Sequence, residues 1–225
     1  MVNLLFDYDG TLHDSLAIYA PAVQAAYDTL AAKGYAKPRT WPRETIRQWI
    51  GLTPQEMWDR FQPSLPREEQ HARSAQVGEE MLALIGQGRA QLYPGVPQVL
   101  DRLKGMGLRL LLLSNCPAAY LQAHKACFGL ERWFEGLYCG EEFQYRPKRE
   151  ILPILQMKWQ GKFLVIGDRE QDVEMARRNH VPAVGCLYGY GSREELARAD
   201  QLIQSVEELP AVVEKFVRGD STQDS

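Results

Sequence analysis

Val2-Asn3-Leu4-Leu5-Phe6-Asp7-Tyr8-Asp9-Gly10-Thr11-Leu12 opens with an almost unbroken apolar run that ends abruptly in two aspartates and a glycine. A short, continuously apolar run reads as a strand buried on both faces, the kind found in parallel sheets covered by helices. Four further stretches share that character, at 108–113, 134–139, 163–166 and 183–187. Helical patterns lie between them at 96–104 (after Tyr93-Pro94-Gly95), 118–127 (after Pro117), 149–159 and 170–178. Strand and helix alternating in this way predict an α/β fold with a parallel sheet and right-handed crossovers. One interval breaks the rhythm. Residues 15–89 offer helical stretches at 16–32, 43–50, 54–61 and 67–85, punctuated by Pro38, Pro42, Pro54, Pro63 and Pro66, but no strand. The expected organisation is therefore a core of 1–14 and 90–218, an all-helical insert at 15–89, and a polar, frayed tail at 219–225.

The whole chain of 225 residues is long enough for one large domain or a core with a smaller insert. Its composition, 45% hydrophobic and 24% charged, is that of a globular protein. A net charge of -3 argues against nucleic acid as a partner, since that footprint is normally basic. No apolar run approaches the roughly 18 residues that span a bilayer, and the first residues lack the basic segment of a signal peptide. The four cysteines, Cys116, Cys127, Cys139 and Cys186, show no CxxC spacing. They read as reduced, buried thiols of a cytoplasmic protein, and no histidine stands at zinc-ligand spacing from a partner. The expected partners are small molecules, with no nucleic acid and no membrane, and the chain is expected to be a monomer or homodimer.

Chemistry concentrates where the strands end. In open parallel sheets ligands gather beyond the carboxyl ends of the strands, so Asp7 and Asp9 at the end of the first would project toward one crevice. Two carboxylates held close repel unless a cation or a proton intervenes, and both remedies are chemically useful. A solvated acidic turn is the plain alternative. The 108–113 run delivers Ser114-Asn115, donors suited to an anionic oxygen or, more simply, to a helix cap. The 163–166 run delivers Gly167-Asp168 with Asp172 four residues on. Between them Tyr145-Arg146-Pro147-Lys148-Arg149-Glu150 opens an apolar helix, where a cation would strengthen a phosphate site.

Taken together, DYDGTLHDS at Asp7–Ser15, LLLLSN ending at Asn115, Lys148 at a helix start and IGDREQD at Ile166–Asp172 make the sequence resemble the haloacid dehalogenase superfamily of phosphohydrolases, in its phosphoglycolate-phosphatase-like branch with a helical cap. Leu92–Val96, Gly51-Leu52-Thr53 and the Gly189–Leu196 run echo the same family, and the likeness extends to about residue 218. The resemblance implies a Rossmann-like doubly wound sheet with the cap inserted after the first motif. It also implies roles: Asp7 as the nucleophile that forms an aspartyl-phosphate, Asp9 as acid and then base, and Ser114, Asn115 and Lys148 as phosphate ligands. Mg²⁺ would sit among Asp7, the Asp9 backbone carbonyl, Asp168 and, through water, Asp172. The implied activity is a Mg²⁺-dependent phosphatase of a small phosphorylated metabolite. A phosphomutase of the β-phosphoglucomutase kind, or a non-catalytic phosphate-binding module, stands as the alternative.

Several positions depart from the family pattern. Arg169 replaces the frequent small residue after Asp168 and is expected to pair with an acid such as Glu170 or Asp172. Asn179-His180 stands where Ala-Gly is common, with Asn179 suited to the left-handed turn. The third motif leaves Arg146 and Lys148 in competition, and Lys148 is favoured by its place before Ile151, Leu152 and Leu155. Leu52, Thr53, Gln55 and Arg47 are candidate substrate contacts in the insert, whereas Trp41, Trp49 and Trp58 are expected to pack it. His13 reads equally as a surface residue or as a gate to the site.

Overall fold

A computed structural model describes residues 1–50 and 54–219. Among them run six strands, β1 (Val2–Phe6), β2 (Arg109–Ser114), β3 (Gly136–Cys139), β4 (Lys162–Gly167), β5 (Ala183–Cys186) and β6 (Gln201–Ile203). The helices in chain order are α1 (Leu16–Ala32), α2 (Arg43–Arg47), α3 (Pro54–Phe61), α4 (Arg67–Gly86), α5 (Val96–Gly105), α6 (Ala118–Phe128), α7 (Lys148–Lys158), α8 (Glu170–Arg178) and α9 (Leu209–Arg218). The chain forms two compact units, Met1–Asp14 with Leu92–Ser225, and Ser15–Gln91.

The first unit is the α/β fold that the apolar runs predict, with all strands parallel in the order β3-β2-β1-β4-β5-β6. Side chains alternate across a strand, so Leu5, Leu111, Leu113, Phe163 and Val165 share one face. That face is covered by Ile151, Leu152 and Leu155 of α7 and by Met175 and Ala176 of α8. Leu4, Phe6, Leu110, Leu112, Leu164 and Ile166 point the other way and are equally buried. This two-sided burial is why the strands read as solid apolar runs.

Register then fixes where the chemistry falls. Phe6 lies opposite Leu112 on one side and Ile166 on the other, so β1, β4 and β2 finish within two residues of one another at the same edge of the sheet. The chain leaves β1 in opposite directions, to β2 and β3 on one side and to β4, β5 and β6 on the other. Asp7 therefore emerges at the topological switch point, where open α/β sheets hold ligands.

The helical unit consists of α1 to α4. Helix α1 packs along α4, where the Gln76 amide donates to Thr29 Oγ1 at 3.0 Å and Lys33 pairs with Glu69 at 2.7 Å. Trp41 and Trp49 meet Phe61 with ring centroids 4.7 and 4.3 Å away. Trp58 is fully buried, and its indole N–H donates to Ser74 Oγ at 2.9 Å.

Several boundaries differ from the sequence expectation. The third strand begins at Gly136 rather than 134, because Leu130–Arg132 forms a 3₁₀ turn and Trp133 and Phe134 enter the interior from the loop that follows. Helix α2 ends at Arg47, and α7 begins one residue earlier, at Lys148 itself. Strand β6 and helix α9 are additions: β6 has only three residues, and the alternation pattern does not reach them.

Candidate active site

Asp7 follows directly on β1, and its N–H donates to Ile166 O at 2.8 Å, extending the ladder by one residue. The next residues coil tightly: the N–H groups of Leu12 and His13 both reach Tyr8 O, at 2.8 and 3.0 Å, and Gly10 N–H reaches His13 O at 2.9 Å. Gly10 sits at φ +87°, and a Cβ there would stand 2.2 Å from Asp168 Oδ2, so both conformation and space require glycine. Asp168 directly follows β4. Its Oδ1 accepts from Thr11 Oγ1 at 3.0 Å and its Oδ2 from Tyr190 N–H at 2.8 Å. Asp172, in the first turn of α8, accepts from Arg169 N–H at 3.2 Å in a capping arrangement. Lys148 is the first residue of α7 and sends its ammonium 2.7 Å from both Asp7 Oδ1 and Asp172 Oδ1. Arg146, two residues earlier, is exposed.

Ligand oxygens of Asp7, Asp168 and Asp172 lie within 4.8 Å of one another. Burial raises the Asp7 carboxyl well above its ordinary value, Asp172 and Asp168 add to the rise, and Lys148 opposes it. Burial also pushes Asp168 up to about 7, with Asp172 reinforcing and Tyr190 N–H, Thr11 and Lys148 opposing. Burial alone would lower Lys148, but Asp172 and Asp7 outweigh it and hold the lysine charged. Three carboxylates around one ammonium leave uncompensated negative charge in a place that water barely reaches. Hard oxygen donors with excess negative charge fit a divalent cation. Asp7 is the most exposed of the three, 8% against 0% and 1% for Asp168 and Asp172.

Asp9 turns elsewhere. Its Oδ1 accepts from Tyr120 OH at 2.8 Å and His13 Nδ1 at 2.9 Å, and its Oδ2 lies 3.4 Å from Ser114 Oγ. Burial would raise this carboxyl, but the hydrogen bond and charge of His13, with help from His124 and Tyr120, outweigh it, and the net shift is downward. His13 is completely buried, so the surface reading of this residue is overturned. His124 lies against it with ring centroids 4.4 Å apart, and burial together with His13 pushes His124 down to about 3.

Other expectations are redirected. Cys116, Cys139 and Cys186 are buried as expected, but Cys127 is exposed. Arg169 pairs with Glu195 at 2.7 Å instead of Glu170 or Asp172, because Glu195 also accepts Glu170 N–H at 2.9 Å and so closes over the start of α8. His180, at φ +54°, takes the left-handed turn in place of Asn179, whose amide caps α8 by donating to Met175 O at 2.8 Å. Asn115 is exposed, and its amide donates to Gln171 Oε1 at 3.1 Å. Arg47 ends α2 in the helical unit, and Gln55 in α3 donates to Asp59 at 2.7 Å. Leu52 and Thr53 lie outside the described residues. The sequence reading missed Thr11, Tyr120, His124, Tyr190 and Glu195. Only Tyr120 and His124 carried a local signal, their i, i+4 spacing on one helix face.

The strand ends of the switch-point sheet thus bring together a buried acidic trio and one lysine. The chain belongs to the haloacid dehalogenase-like hydrolases, whose family model matches residues 2–180. Within them it falls among the phosphatases. It is 29% identical to a phosphoglycolate phosphatase of Synechococcus elongatus across 97% of this chain and 100% of that protein. It is likewise 29% identical to a 5'-nucleotidase of Pseudomonas aeruginosa across 93% of each. Among solved structures, the fold matches a predicted phosphoglycolate phosphatase of Haemophilus somnus with TM-score 0.80 and 22% identity, covering 93% and 96% of the two chains. It also matches CbbY of Rhodobacter sphaeroides in complex with phosphate, with TM-score 0.70 and 24% identity over 92% and 95%.

Proposed function

We propose that the chain is a Mg²⁺-dependent phosphatase of small phosphate monoesters that works through an aspartyl-phosphate on Asp7. The observation that carries this reading is the ion pair of Asp7 with Lys148 beside two carboxylates more deeply buried than Asp7 itself. A carboxylate that attacks a phosphate dianion must overcome like-charge repulsion, and Mg²⁺ held by Asp7, Asp168, Asp172 and the Asp9 carbonyl would supply the neutralising charge.

The residues divide the remaining work. An Asp7 oxygen bonds to phosphorus as the ester P–O bond breaks, and the leaving oxygen takes a proton from Asp9. Asp9 then removes a proton from water, whose oxygen attacks the same phosphorus. The acyl-phosphate P–O bond breaks, inorganic phosphate departs and Asp7 is restored. Lys148 and the Ser114 hydroxyl, with Asn115 at the rim, bind phosphoryl oxygens, where preorganised donors act most strongly. Relatives named for phosphoglycolate and for nucleotides support a substrate among small phosphorylated metabolites. The four free thiols suit a reducing compartment, and we place the protein in the cytoplasm. Among the described residues no helix is long and apolar enough to cross a membrane.

The test is Asp7→Asn with p-nitrophenyl phosphate and Mg²⁺. Phosphate release is expected to fall by about 10³-fold or more while the circular dichroism spectrum is unchanged. A folded variant that keeps its activity overturns the assignment. A screen of phosphorylated metabolites for phosphate release then identifies the substrate.

A further inference from the structure

Asp9 needs more than a place in the site: as acid and base it must present one oxygen to the leaving group and then to water without rotating away. Its two oxygens are held very differently. Oδ1 receives Tyr120 OH at 2.8 Å and His13 Nδ1 at 2.9 Å, two groups on one oxygen that themselves lie 3.3 Å apart. Oδ2 has Ser114 Oγ at 3.4 Å, well beyond the usual length of a hydroxyl–carboxylate bond.

The donors on Oδ1 are themselves fixed. His13 is fully buried, with its ring stacked on Tyr8 at 5.3 Å and 12°. Tyr8 OH is hydrogen-bonded to His124 Nδ1 at 2.8 Å, and His124 meets Tyr120 with centroids 4.4 Å apart. Tyr120 and His124 lie one turn apart on α6, so this helix and the turn after β1 clamp Asp9 from two directions. The Asp9 side chain itself keeps 28% of its exposure while the His13 side chain has none. Such a cluster is costly as packing. Among the described residues Nε2 of both His13 and His124 is buried without a partner, a penalty that an apolar residue at position 13 would avoid.

We propose that His13 and Tyr120 are positioning residues which lock Asp9 Oδ1 and thereby dedicate Oδ2 to proton exchange with the substrate. The proposal rests on the acid–base reading of Asp9. Neither residue touches the substrate in this scheme, and both act through the carboxylate.

General-acid help matters most for poor leaving groups, so leaving-group dependence separates positioning from simple loss of structure. We would measure kcat/KM for Tyr120→Phe, His13→Leu and His13→Asn on aryl phosphates running from 2,4-dinitrophenyl to phenyl phosphate, with Asp9→Asn as reference. Tyr120→Phe removes one oxygen only, and melting curves check that each variant is folded. Tyr120→Phe and His13→Leu should lose at least tenfold more on phenyl phosphate than on the dinitrophenyl ester, mainly in kcat. His13→Asn, whose amide can donate where Nδ1 stands, should recover most of the difference. Equal losses along the series, or none, in folded Tyr120→Phe and His13→Leu overturn the proposal while a steepened Asp9→Asn series leaves the acid reading intact. A flat Asp9→Asn series removes the acid reading and the proposal with it.

Discussion

Lys148 is a long flexible chain whose ammonium has been taken almost wholly out of water, with only 4% of the side chain exposed. Such burial is tolerable because Asp7 and Asp172 each stand 2.7 Å away and repay the lost hydration. Removing one partner of a buried pair costs more than the pair contributes, because the charge left behind has no water to turn to. Lys148→Met preserves length and most of the volume, so its effect isolates the charge. Asp7 already sits above its ordinary value, and without lysine it rises further. A carboxyl with a raised folded-state pKa favours the folded state at low pH and loses that advantage as pH rises through the raised value. The variant should therefore be destabilised by about 3 kcal/mol at pH 8, roughly 6–12 °C in Tm, and by clearly less at pH 5, where Asp7 can accept a proton. Melting curves at the two pH values decide it, and an equal loss at both removes the lysine from the charge balance of the site.

At the scale of elements, α8 shows why one half of the site is read easily and the other is not. Its carboxylates announce themselves: Asp168 follows an apolar strand, and Asp172 falls one turn into the helix, where an acid favours the helix dipole. The clamp on that helix start is different, because Glu195 comes from a loop after β5 and gives one carboxylate to Arg169 Nε at 2.7 Å and Glu170 N–H at 2.9 Å. No periodicity connects residues 169 and 195. Their meeting depends on the register of β4 against β5, which is tertiary information. The same holds for Tyr120 and His124, whose helix has to lie across the turn after β1 before either can be seen as a partner of Asp9 or Tyr8. Strands buried on both faces were legible for the opposite reason, since each writes its environment into its own residues, whereas β6 is short and opens with the exposed Gln201. Glu195→Ala should loosen the start of α8 at a cost of about 1 kcal/mol, or roughly 2–4 °C in Tm, by removing a partly exposed ion pair and an N–H acceptor. Faster amide exchange confined to residues 168–172 would locate the effect, and unchanged exchange there would refute the clamp.

Across the whole molecule, the site works against the stability of the fold that carries it. The sheet, with its two covered faces, supplies a rigid rim, and at that rim burial favours the protonated forms of Asp7 and Asp168 in the metal-free protein. Asp168 is the measure of this, standing at about 7 in the folded chain against an ordinary value of about 3.9 unfolded. The folded state binds a proton that the unfolded state has released, so metal-free stability should be greatest at acid pH and fall as pH climbs toward and past 7. Mg²⁺ in the proposed site replaces that proton. At a hundredfold excess over its dissociation constant it should add about 2.7 kcal/mol, raising Tm by roughly 5–10 °C, more at pH 8 than at pH 5.5, and chelation should reverse the gain. Asp168→Asn separates the charge from the shape. An asparagine amide can donate to Thr11 Oγ1, a hydroxyl able to accept, while its carbonyl still receives Tyr190 N–H, so the hydrogen bonds seen at 3.0 and 2.8 Å survive. The variant should melt above the metal-free parent at pH 8, lose the decline with pH and show no response to Mg²⁺. If it instead melts lower at pH 8 and still gains from Mg²⁺, the excess charge at the rim is not what the cation answers.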